Sequence, residues 1–588
     1  MIRILVTFLA ASFALPVPAP AQDDLRGPVI DVRHYRFSLT LSDASDEIRG
    51  RAEITVRFME PGKESFTLDL VGGEAGSAAG MEVLGVARGN SPLSFLHQED
   101  RLTVSTASPP GALEDRTYTI DYRGVPADGL IIGTNKYGDR AFFGDNWPNR
   151  ARHWLPTVDH VSDKATVEWI VTAPIHYEVV ATGRLVERSD MGDGTRLTHW
   201  ASTAPVATKV MTMGAARFAM RVTGVVGEIP VQAWVYPQDR AAGFHDFARA
   251  ENALRFFESR VGPFSYAKLA NVQSKTRYGG MENASNIFYS ERAVRGDGRN
   301  ENLIVHEVAH QWFGDSVTEL EWPHLWLSEG FATYFTHLYN EAEYGRAHLV
   351  EGMLRDRRTV IRFLGERPDL ALVPESLSDP NEMLNPNAYQ KGSWILHMLR
   401  RQVGDQDFWA GIRRYYREFR DRNALTVDFQ RAMEESSGQD LEWFFQQWSH
   451  ERGHPVLRKA WSYDTSRGEV SLTVSQIQDT GTIFRFFLDV GVIYPGGDGK
   501  ISKTVEVTAP VQVFSIPVRE APEEVILDPE TWLLFEAEET EDEETAPAGN
   551  PTGAASFILP GLEADGGPCL IPSRPFLCTT EWCGTSAG

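Results

Sequence analysis

The spacing of apolar residues changes twice along this 588-residue chain, and each change predicts a change of architecture. From Val32 to about residue 218, apolar and polar residues alternate, as in Tyr35-Arg36-Phe37-Ser38-Leu39, which is typical of half-buried strands. From there to about His450 the apolar residues recur at helical spacing. Alternation returns from Pro455 to Leu534. We therefore expect a multidomain α+β protein with a β-rich start, a mainly helical middle and a β-rich end.

These changes set the predicted domain boundaries. We expect an N-terminal β-rich domain at 22–218, a mainly α domain at 219–453 and a small antiparallel β-sandwich at 454–535. Within the middle domain, Phe244 to Val261 is predicted to form one helix, which Gly262 and Pro263 terminate. Seven of the nine residues from Glu536 to Glu544 are acidic, and Gly/Pro-rich sequence follows, so 536–588 is predicted to be a disordered tail.

The first 21 residues have the parts of a secretory signal peptide. Arg3 precedes an apolar stretch from Ile4 to Leu15, and Ala19-Pro20-Ala21 offers small residues for cleavage. Twelve apolar residues are too few to span a bilayer, which takes about twenty. We expect an exported, soluble protein, periplasmic or extracellular; the alternative is an ordinary buried strand or helix at the N-terminus.

Composition and cysteine usage exclude several classes of protein. The chain has 57 Lys and Arg against 81 Asp and Glu, a net charge of −24, which argues against binding of a nucleic-acid backbone. A hydrophobic content of 42% excludes a largely disordered chain. Cys569, Cys578 and Cys583 all lie in the tail, so the body contains no disulfide, and their spacing matches no zinc pattern.

A metal-binding pattern lies in the helical region. His306-Glu307-Val308-Ala309-His310 falls in a stretch from Asn302 to Phe313 that contains no Pro or Gly. Residues at i and i+4 share a helix face, so both imidazoles can reach one tetrahedral ion. Glu307 can face a water at that ion without becoming a ligand.

Glu329 supplies a suitable third ligand. Eighteen residues separate it from His310, which places its carboxylate on the next helix and completes a His₂Glu zinc site with an open position. The alternative is two surface histidines and an incidental glutamate. Chance rarely produces both the pentapeptide and a suitably spaced glutamate, so the sequence predicts one Zn²⁺ per chain, held by His306, His310 and Glu329.

Three further motifs point to one family. Gly279-Gly280-Met281-Glu282-Asn283 precedes the metal helix, Trp312-Phe313-Gly314 ends it, and Tyr389-Gln390-Lys391-Gly392 follows the third ligand. Over residues 30 to 535 the chain resembles the aminopeptidase N-like zinc metallopeptidases, the gluzincin aminopeptidases, which also include the leukotriene hydrolase. The resemblance implies an N-terminal antiparallel β saddle, a thermolysin-like, mainly α catalytic domain and a C-terminal β-sandwich.

The resemblance also assigns roles. It implies that Glu282 binds the free α-amine of a peptide, that the strand of Gly279, Gly280 and Met281 lies along the substrate, and that Tyr389 stabilises the tetrahedral intermediate. The chemistry of the residues agrees, because a carboxylate beside an activated water can act as a base and a neutral phenol can donate to an oxyanion. We therefore expect a zinc aminopeptidase with Glu307 and Tyr389 as catalytic residues and peptides with a free N-terminus as substrates.

Two features depart from the family. Many members carry a second anchor for the amine, but Trp147 occupies that position here, so Asn146 or Asp145 substitutes for it or Glu282 works alone. Large members also have a long helical C-terminal domain over the site, whereas about fifty residues follow the sandwich here. The site is therefore expected to be more open and to admit longer peptides.

Some alternatives remain open at this point. An endopeptidase or an epoxide hydrolase could use the same scaffold, and a non-catalytic binding protein could retain the fold. Asp315 is a candidate partner for a ligating histidine, because such partners are usually carboxylates or carbonyls. Lys391 could either hold the loop of Tyr389 or point to solvent.

Overall fold

The computed structural model describes residues 29–73, 79–496 and 501–538. The predicted signal peptide, the three cysteines and the tail from residue 539 onward lie outside the described residues. The described residues up to residue 216 form three sheets. In spatial order, the largest contains Arg184–Asp190, Thr195–Ala201, Lys164–Pro174, Ile30–Thr40, Ile48–Phe58, Glu114–Val125, Gly80–Arg88 and Ser91–Pro92, with Val206–Ala207 beside Lys164–Pro174. The second contains Glu178–Ala181, Met213–Ala216, Arg140–Gly144 and Leu130–Thr134, and the third Ser65–Asp69, Arg101–Ser105 and Phe95–Gln98.

The alternation seen in the sequence corresponds to one buried and one more exposed face of the large sheet. In Ile30–Thr40 the side chains of Tyr35, Phe37 and Leu39 are buried, while the residues between them are more exposed. Most pairs in this sheet are antiparallel, but Ile30–Thr40 runs parallel to Lys164–Pro174. The prediction of an antiparallel saddle therefore missed one pair, because a local pattern does not indicate which distant strand becomes a neighbour.

The middle region contains a mixed five-stranded sheet and nine helices among the described residues. The sheet contains, in order, Ala219–Val226, Ile229–Val235, Leu269–Ser274, Asn286–Ser290 and Gly280–Met281, and a smaller pair joins Val317–Glu319 to Arg422–Ala424. The helices are α1 (Arg240–Phe247), α2 (Ala250–Arg260), α3 (Glu301–His310), α4 (Trp326–Tyr344), α5 (Arg346–Glu366), α6 (Gly392–Val403), α7 (Asp405–Phe419), α8 (Thr426–Ser437) and α9 (Glu442–Phe445). Asn387–Lys391 forms a π-helical turn directly before α6.

The single helix predicted over Phe244–Val261 is in fact two helices. Around Ala248 and Arg249 the backbone hydrogen bonds span three residues instead of four, for example from Glu251 N to Ala248 O and from Asn252 N to Arg249 O. Such bonds form a tighter turn than that of an α-helix and so interrupt the α-helical pattern. The apolar spacing of the two segments is continuous in the sequence, so this break could not be read from it.

The C-terminal region is a two-sheet arrangement that packs on the helices. One sheet contains Val511–Pro517, Glu469–Gln476, Val456–Asp464 and Glu536–Ala537, and the other Ile501–Val507, Phe486–Ile493 and Glu524–Leu527. On α6, His397 stacks on Trp532 with a centroid distance of 4.5 Å, and its Nε2 lies 2.8 Å from Thr531 O.

Residues 536–538 of the predicted disordered tail lie within the described residues, and there they pack against the C-terminal sheet. Glu536–Ala537 pairs in parallel with Val456 and Leu457, and the carboxylates of Glu536 and Glu538 contact His454 and Arg458. The hydrogen bond between His454 and Glu536 and the positive charge of Arg458 beside Glu538 make the start of an acidic run compatible with a sheet edge.

The predicted fold class is confirmed for the described residues, which form a β-rich start, a largely helical middle and a pair of C-terminal sheets. No helix in 29–73, 79–496 or 501–538 has the length and apolar character that a membrane span requires.

Candidate active site

The three predicted metal ligands converge on one point. His306 and His310 project from α3, and Glu329 projects from the first turn of α4. Nε2 of His306 lies 3.1 Å from Nε2 of His310, and Oε2 of Glu329 lies 3.4 Å and 3.2 Å from these two nitrogens. The three atoms thus form a nearly equilateral triangle.

This triangle fits a tetrahedral zinc ion. With metal–ligand bonds of about 2.0–2.1 Å, the corners of a tetrahedral site lie about 3.3–3.4 Å apart, close to the observed edges. Oε2 of Glu329 is buried and accepts no well-formed hydrogen bond from any described residue, so it has a free lone pair for a metal. Two imidazoles and a carboxylate are also ligands that zinc prefers.

The orientation of His310 is set by groups other than the predicted one. Its Nδ1 lies 3.1 Å from both the carbonyl oxygen of Phe313 and the hydroxyl of Ser328. With the proton on Nδ1, the Nε2 lone pair is directed toward the ligand triangle. The prediction that Asp315 is this partner is wrong, because Oδ2 of Asp315 accepts instead from Gln311 Nε2 at 2.8 Å.

Glu307 lies beside the metal group but outside the triangle. Its side chain is 4% exposed, and its carboxylate forms a second cluster with Glu282 and His310, in which one ligand-type atom of each residue lies within 4.8 Å of the others. Burial raises the pKa of Glu307 well above its usual value, and the negative charges of Glu282 and Glu329 add to that effect. A carboxylate with a raised pKa is better suited to accept a proton from water.

Gly280 allows a backbone strand to lie against Glu307. A Cβ atom added at this glycine would lie 2.3 Å from Oε1 of Glu307, so any larger residue would displace that carboxylate. Gly280–Met281 is also the last strand of its sheet, paired on one side with Asn286–Ser290. Its other edge is therefore available to pair with an extended peptide.

Tyr389 reaches the site because two helices approach closely. A Cβ atom at Gly330 of α4 would lie 2.8 Å from Cα of Gly392 of α6, so only glycines permit this contact. The turn before α6 thereby places the Tyr389 ring 6.2 Å from that of His306 and nearly parallel to it, at 10°. Burial, followed by the charge of Glu329, raises the pKa of Tyr389 well above its usual value, so the phenol keeps its proton.

Lys391 in the same turn does not point to solvent. Its side chain is buried, and Nζ has no hydrogen-bond partner among the described residues. Burial lowers the pKa of Lys391 to about 8. Of the two interpretations left open by the sequence, only the one in which Lys391 packs within the Tyr389 turn agrees with this burial.

The structure shows which of the candidate residues around Trp147 already have partners and so do not bind a substrate amine. The side-chain amide of Asn146 donates to the carbonyl oxygens of Thr208 and Met211, and its oxygen accepts from Trp154 Nε1. Asp145 is fully buried between the guanidinium groups of Arg150 and Arg277, each at 3.3 Å. Trp147 packs edge-on against Tyr278 and Trp322.

Glu282 therefore remains as the carboxylate available for the amine. It is 6% exposed and clusters with Glu307 and His310. Burial raises the pKa of Glu282, whereas the positive charge of Lys209, which forms a buried ion pair with Glu319 at 2.5 Å, lowers it. Sequence reasoning missed Lys209, because nothing near it in the chain indicates that it faces this site.

Comparisons with known proteins agree with this geometry. Residues 246–448 match the Peptidase family M1 domain. The chain is 25% identical over 457 residues to a leucyl aminopeptidase of Saccharolobus solfataricus, covering 73% of this chain and 54% of that protein. It is 27% identical over 334 residues to the glutamyl aminopeptidase of Homo sapiens, covering 53% of this chain and 34% of that protein. The chain thus spans about half or less of these relatives' length.

Two solved structures share the fold. Aminopeptidase A of Legionella pneumophila, solved with aspartic acid, has a TM-score of 0.75 at 16% identity and covers 88% of this chain and 60% of that one. An M1 zinc metallopeptidase of Deinococcus radiodurans has a TM-score of 0.63 at 24% identity and covers 73% of this chain and 95% of that one.

Proposed function

From the premise that residues 246–448 form a peptidase family M1 domain, we propose that this chain is a zinc-dependent aminopeptidase that removes residues from the N-terminus of peptides. The predicted resemblance to the aminopeptidase N-like zinc metallopeptidases is confirmed by that match and by the aminopeptidase relatives. The match to the family M1 domain and the ligand triangle together support Zn²⁺ as the cofactor.

The observation that carries the proposal is the charge of the site. Three buried carboxylates, Glu282, Glu307 and Glu329, surround two imidazoles. Buried charges of one sign are costly unless cations compensate them. A divalent ion together with one substrate ammonium would supply three positive charges, which equals the number of carboxylates. An aminopeptidase complex provides this combination, and a peptide that lacks a free amine does not.

The chain's own groups then account for hydrolysis. His306, His310 and Glu329 would hold a zinc ion, and the chemistry that this ion would supply is Lewis-acid polarisation of a carbonyl and a lower pKa, about 7, for a water. The Glu307 carboxylate takes a proton from this water and passes it to the leaving amine. The Tyr389 hydroxyl donates to the oxyanion that develops on the substrate, while the edge strand Gly280–Met281 holds the peptide backbone in register.

Glu282 limits the reaction to the first peptide bond. When this carboxylate binds the terminal ammonium of a peptide, it fixes the distance between the N-terminus of that peptide and the metal ligands. The missing second anchor at Trp147 makes amine recognition depend on Glu282 alone.

Removing this carboxylate is therefore expected to have a large and selective effect. Glu282→Ala should lower kcat/KM for free-amine substrates about 100-fold, because a buried ammonium then loses its charged partner. The measurement compares a free aminoacyl amide with its N-acetylated form. Glu168→Ala, on the N-terminal sheet, is the control and should behave like the wild type. Wild-type kcat/KM of Glu282→Ala on the free amide would refute the anchor role.

The proposed activity is tested with a panel of fluorogenic aminoacyl amides, each with and without N-acetylation and each with and without a chelator. An aminopeptidase cleaves the free forms, fails on the acetylated forms and stops when the metal is removed. Cleavage of blocked peptides would identify an endopeptidase, and epoxide opening without amide cleavage would identify the hydrolase alternative. Binding of peptides without turnover would identify a non-catalytic protein.

We propose further that the protein acts outside the cytoplasm. The support is the pattern of Met1 to Ala21 in the sequence, which has a charged start, an apolar stretch and small residues at the end. Cell fractionation, with N-terminal sequencing of the exported form, tests this. Cleavage after Ala21 is the expected result, and an intact cytoplasmic chain would contradict it.

A further inference from the structure

One buried side chain joins the metal helix to the segment that carries the amine-binding carboxylate. Gln311 directly follows the ligand His310 at the end of α3, and none of its surface is exposed. It is neither a metal ligand nor part of the carboxylate cluster around the site. Its position makes it a physical link between two functional groups.

Every hydrogen-bonding group of the Gln311 amide is used. Nε2 donates to the carbonyl oxygen of Glu282 and to Oδ2 of Asp315, both at 2.8 Å. Oε1 accepts from the backbone N–H of Ser285 at 2.7 Å. A flipped amide would place its one oxygen against two acceptor oxygens and its NH₂ group against the N–H of Ser285, so these partners allow one orientation.

Gln311 thereby holds a tight turn at two points, just before the turn at Glu282 and within it at Ser285. The turn runs from Asn283 to Asn286, and Ser285 has a φ of 62°, which is uncommon for a residue other than glycine. The Asn286 N–H donates to the carbonyl of Asn283 at 2.9 Å, which closes the turn. The strained backbone at Ser285 persists because surrounding groups fix it, and the Gln311 carbonyl is one of them.

We propose that Gln311 is a positioning residue that sets the distance between the Glu282 carboxylate and the zinc ligands. This inference rests on the proposed function, in which Glu282 binds the substrate amine. The side chains of Asp145 and Asn146 already contact other groups of the protein, so neither acts as a second anchor for the amine. The position of the bound amine therefore depends on the position of Glu282. A displacement of about 1 Å in such a group can cost about 100-fold in rate.

The test measures amine recognition separately from metal binding. Leucine hydroxamate and 4-methylpentanoic hydroxamate share the side chain and the zinc-binding group, and only the first has an α-amine. Calorimetry on the zinc-loaded protein gives the two dissociation constants. The ratio used here is the constant for 4-methylpentanoic hydroxamate divided by that for leucine hydroxamate, so a high ratio means strong recognition of the amine. In Gln311→Met, which has a similar volume and no amide, this ratio should fall at least about 10-fold toward that of Glu282→Ala. Affinity for the hydroxamate without the amine should stay within about twofold, as should the zinc content.

Turnover provides a second readout. Because the amine anchor acts on the bound substrate in its ground state, Gln311→Met should raise KM for a free aminoacyl amide more than it lowers kcat. A merely structural residue would lower the amount of active protein and reduce kcat instead. The melting temperature is recorded to separate these effects.

Two further variants provide a matched control and a second substitution of Gln311. Gln447→Met removes another buried amide, which bridges Arg485 N and Arg485 O at 2.6 and 3.0 Å far along the chain, and should leave the hydroxamate ratio unchanged. Gln311→Glu keeps an acceptor for Ser285 but loses both donors, so it should lower the ratio even if the methionine variant does not fold.

The outcomes distinguish the two proposals. If the wild type itself binds both hydroxamates equally, the amine-binding role in the proposed function fails. If the wild type prefers the amine and folded Gln311 variants show the same preference, the positioning role fails and the aminopeptidase proposal stands. A large fall in zinc content in these variants would also overturn the positioning role, because it would assign Gln311 to the metal site.

Discussion

Glu307→Gln is expected to keep its zinc and lose about 1,000-fold in kcat. A general base contributes about 10²–10⁴-fold, and an amide of the same shape cannot accept a proton from water at neutral pH. Glu307 is not one of the three atoms of the ligand triangle, so its loss leaves the metal ligands in place. The measurement pairs kcat on a free aminoacyl amide with zinc content by elemental analysis.

Glu301→Gln is a matched control on the same helix. Its carboxylate accepts from the hydroxyls of Tyr339 and Tyr344, away from the ligand triangle, so activity should stay within about twofold. If Glu307→Gln retained wild-type turnover, another group would have to serve as the base. If it lost its zinc, the residue would belong to the metal site.

Tyr389→Phe should lower kcat about 100-fold with little change in KM. The phenol donates to charge that develops only in the transition state, and removal of one such donor costs about 10²–10³-fold. The raised pKa of Tyr389 keeps the proton in place at the pH of the assay. Steady-state kinetics on the same substrate give the two constants.

Tyr339→Phe is the control for this substitution. It also removes a hydroxyl, from a tyrosine on α4 that donates to Glu301, and it should not change kcat by more than about twofold. If the two variants were equally active, Tyr389 would have a packing role. A rise in KM alone would place it in substrate binding rather than in stabilisation of the transition state.

The convergence of the three candidate ligands could be predicted because their geometry is local. His306 and His310 lie four residues apart, so a single helix fixes their relation, and one connection then brings in Glu329. The broad order of β, α and β regions followed from the spacing of apolar residues. Zn²⁺ and the family were predicted from these local patterns together with the motif residues.

The rest of the site depends on contacts between distant segments. The Gly330–Gly392 approach that brings Tyr389 to His306, and the Ser328 hydroxyl at His310, arise from the packing of helices. By residue type Asp315 was a candidate partner for a ligating histidine, yet its carboxylate accepts from Gln311 instead. The sequence also did not predict the parallel strand pair or the broken helix over 244–261, because neither changes the local spacing of apolar residues.

The most direct test of the account is an anomalous difference map, recorded at the zinc absorption edge, from crystals of the purified protein. The account predicts one peak per chain, about 2.0–2.2 Å from Nε2 of His306, Nε2 of His310 and a carboxylate oxygen of Glu329. Absence of any peak there in zinc-supplemented crystals would contradict it. A peak held by the neighbouring cluster of Glu282, Glu307 and His310 would do so as well, because it would leave neither a base nor an amine anchor free.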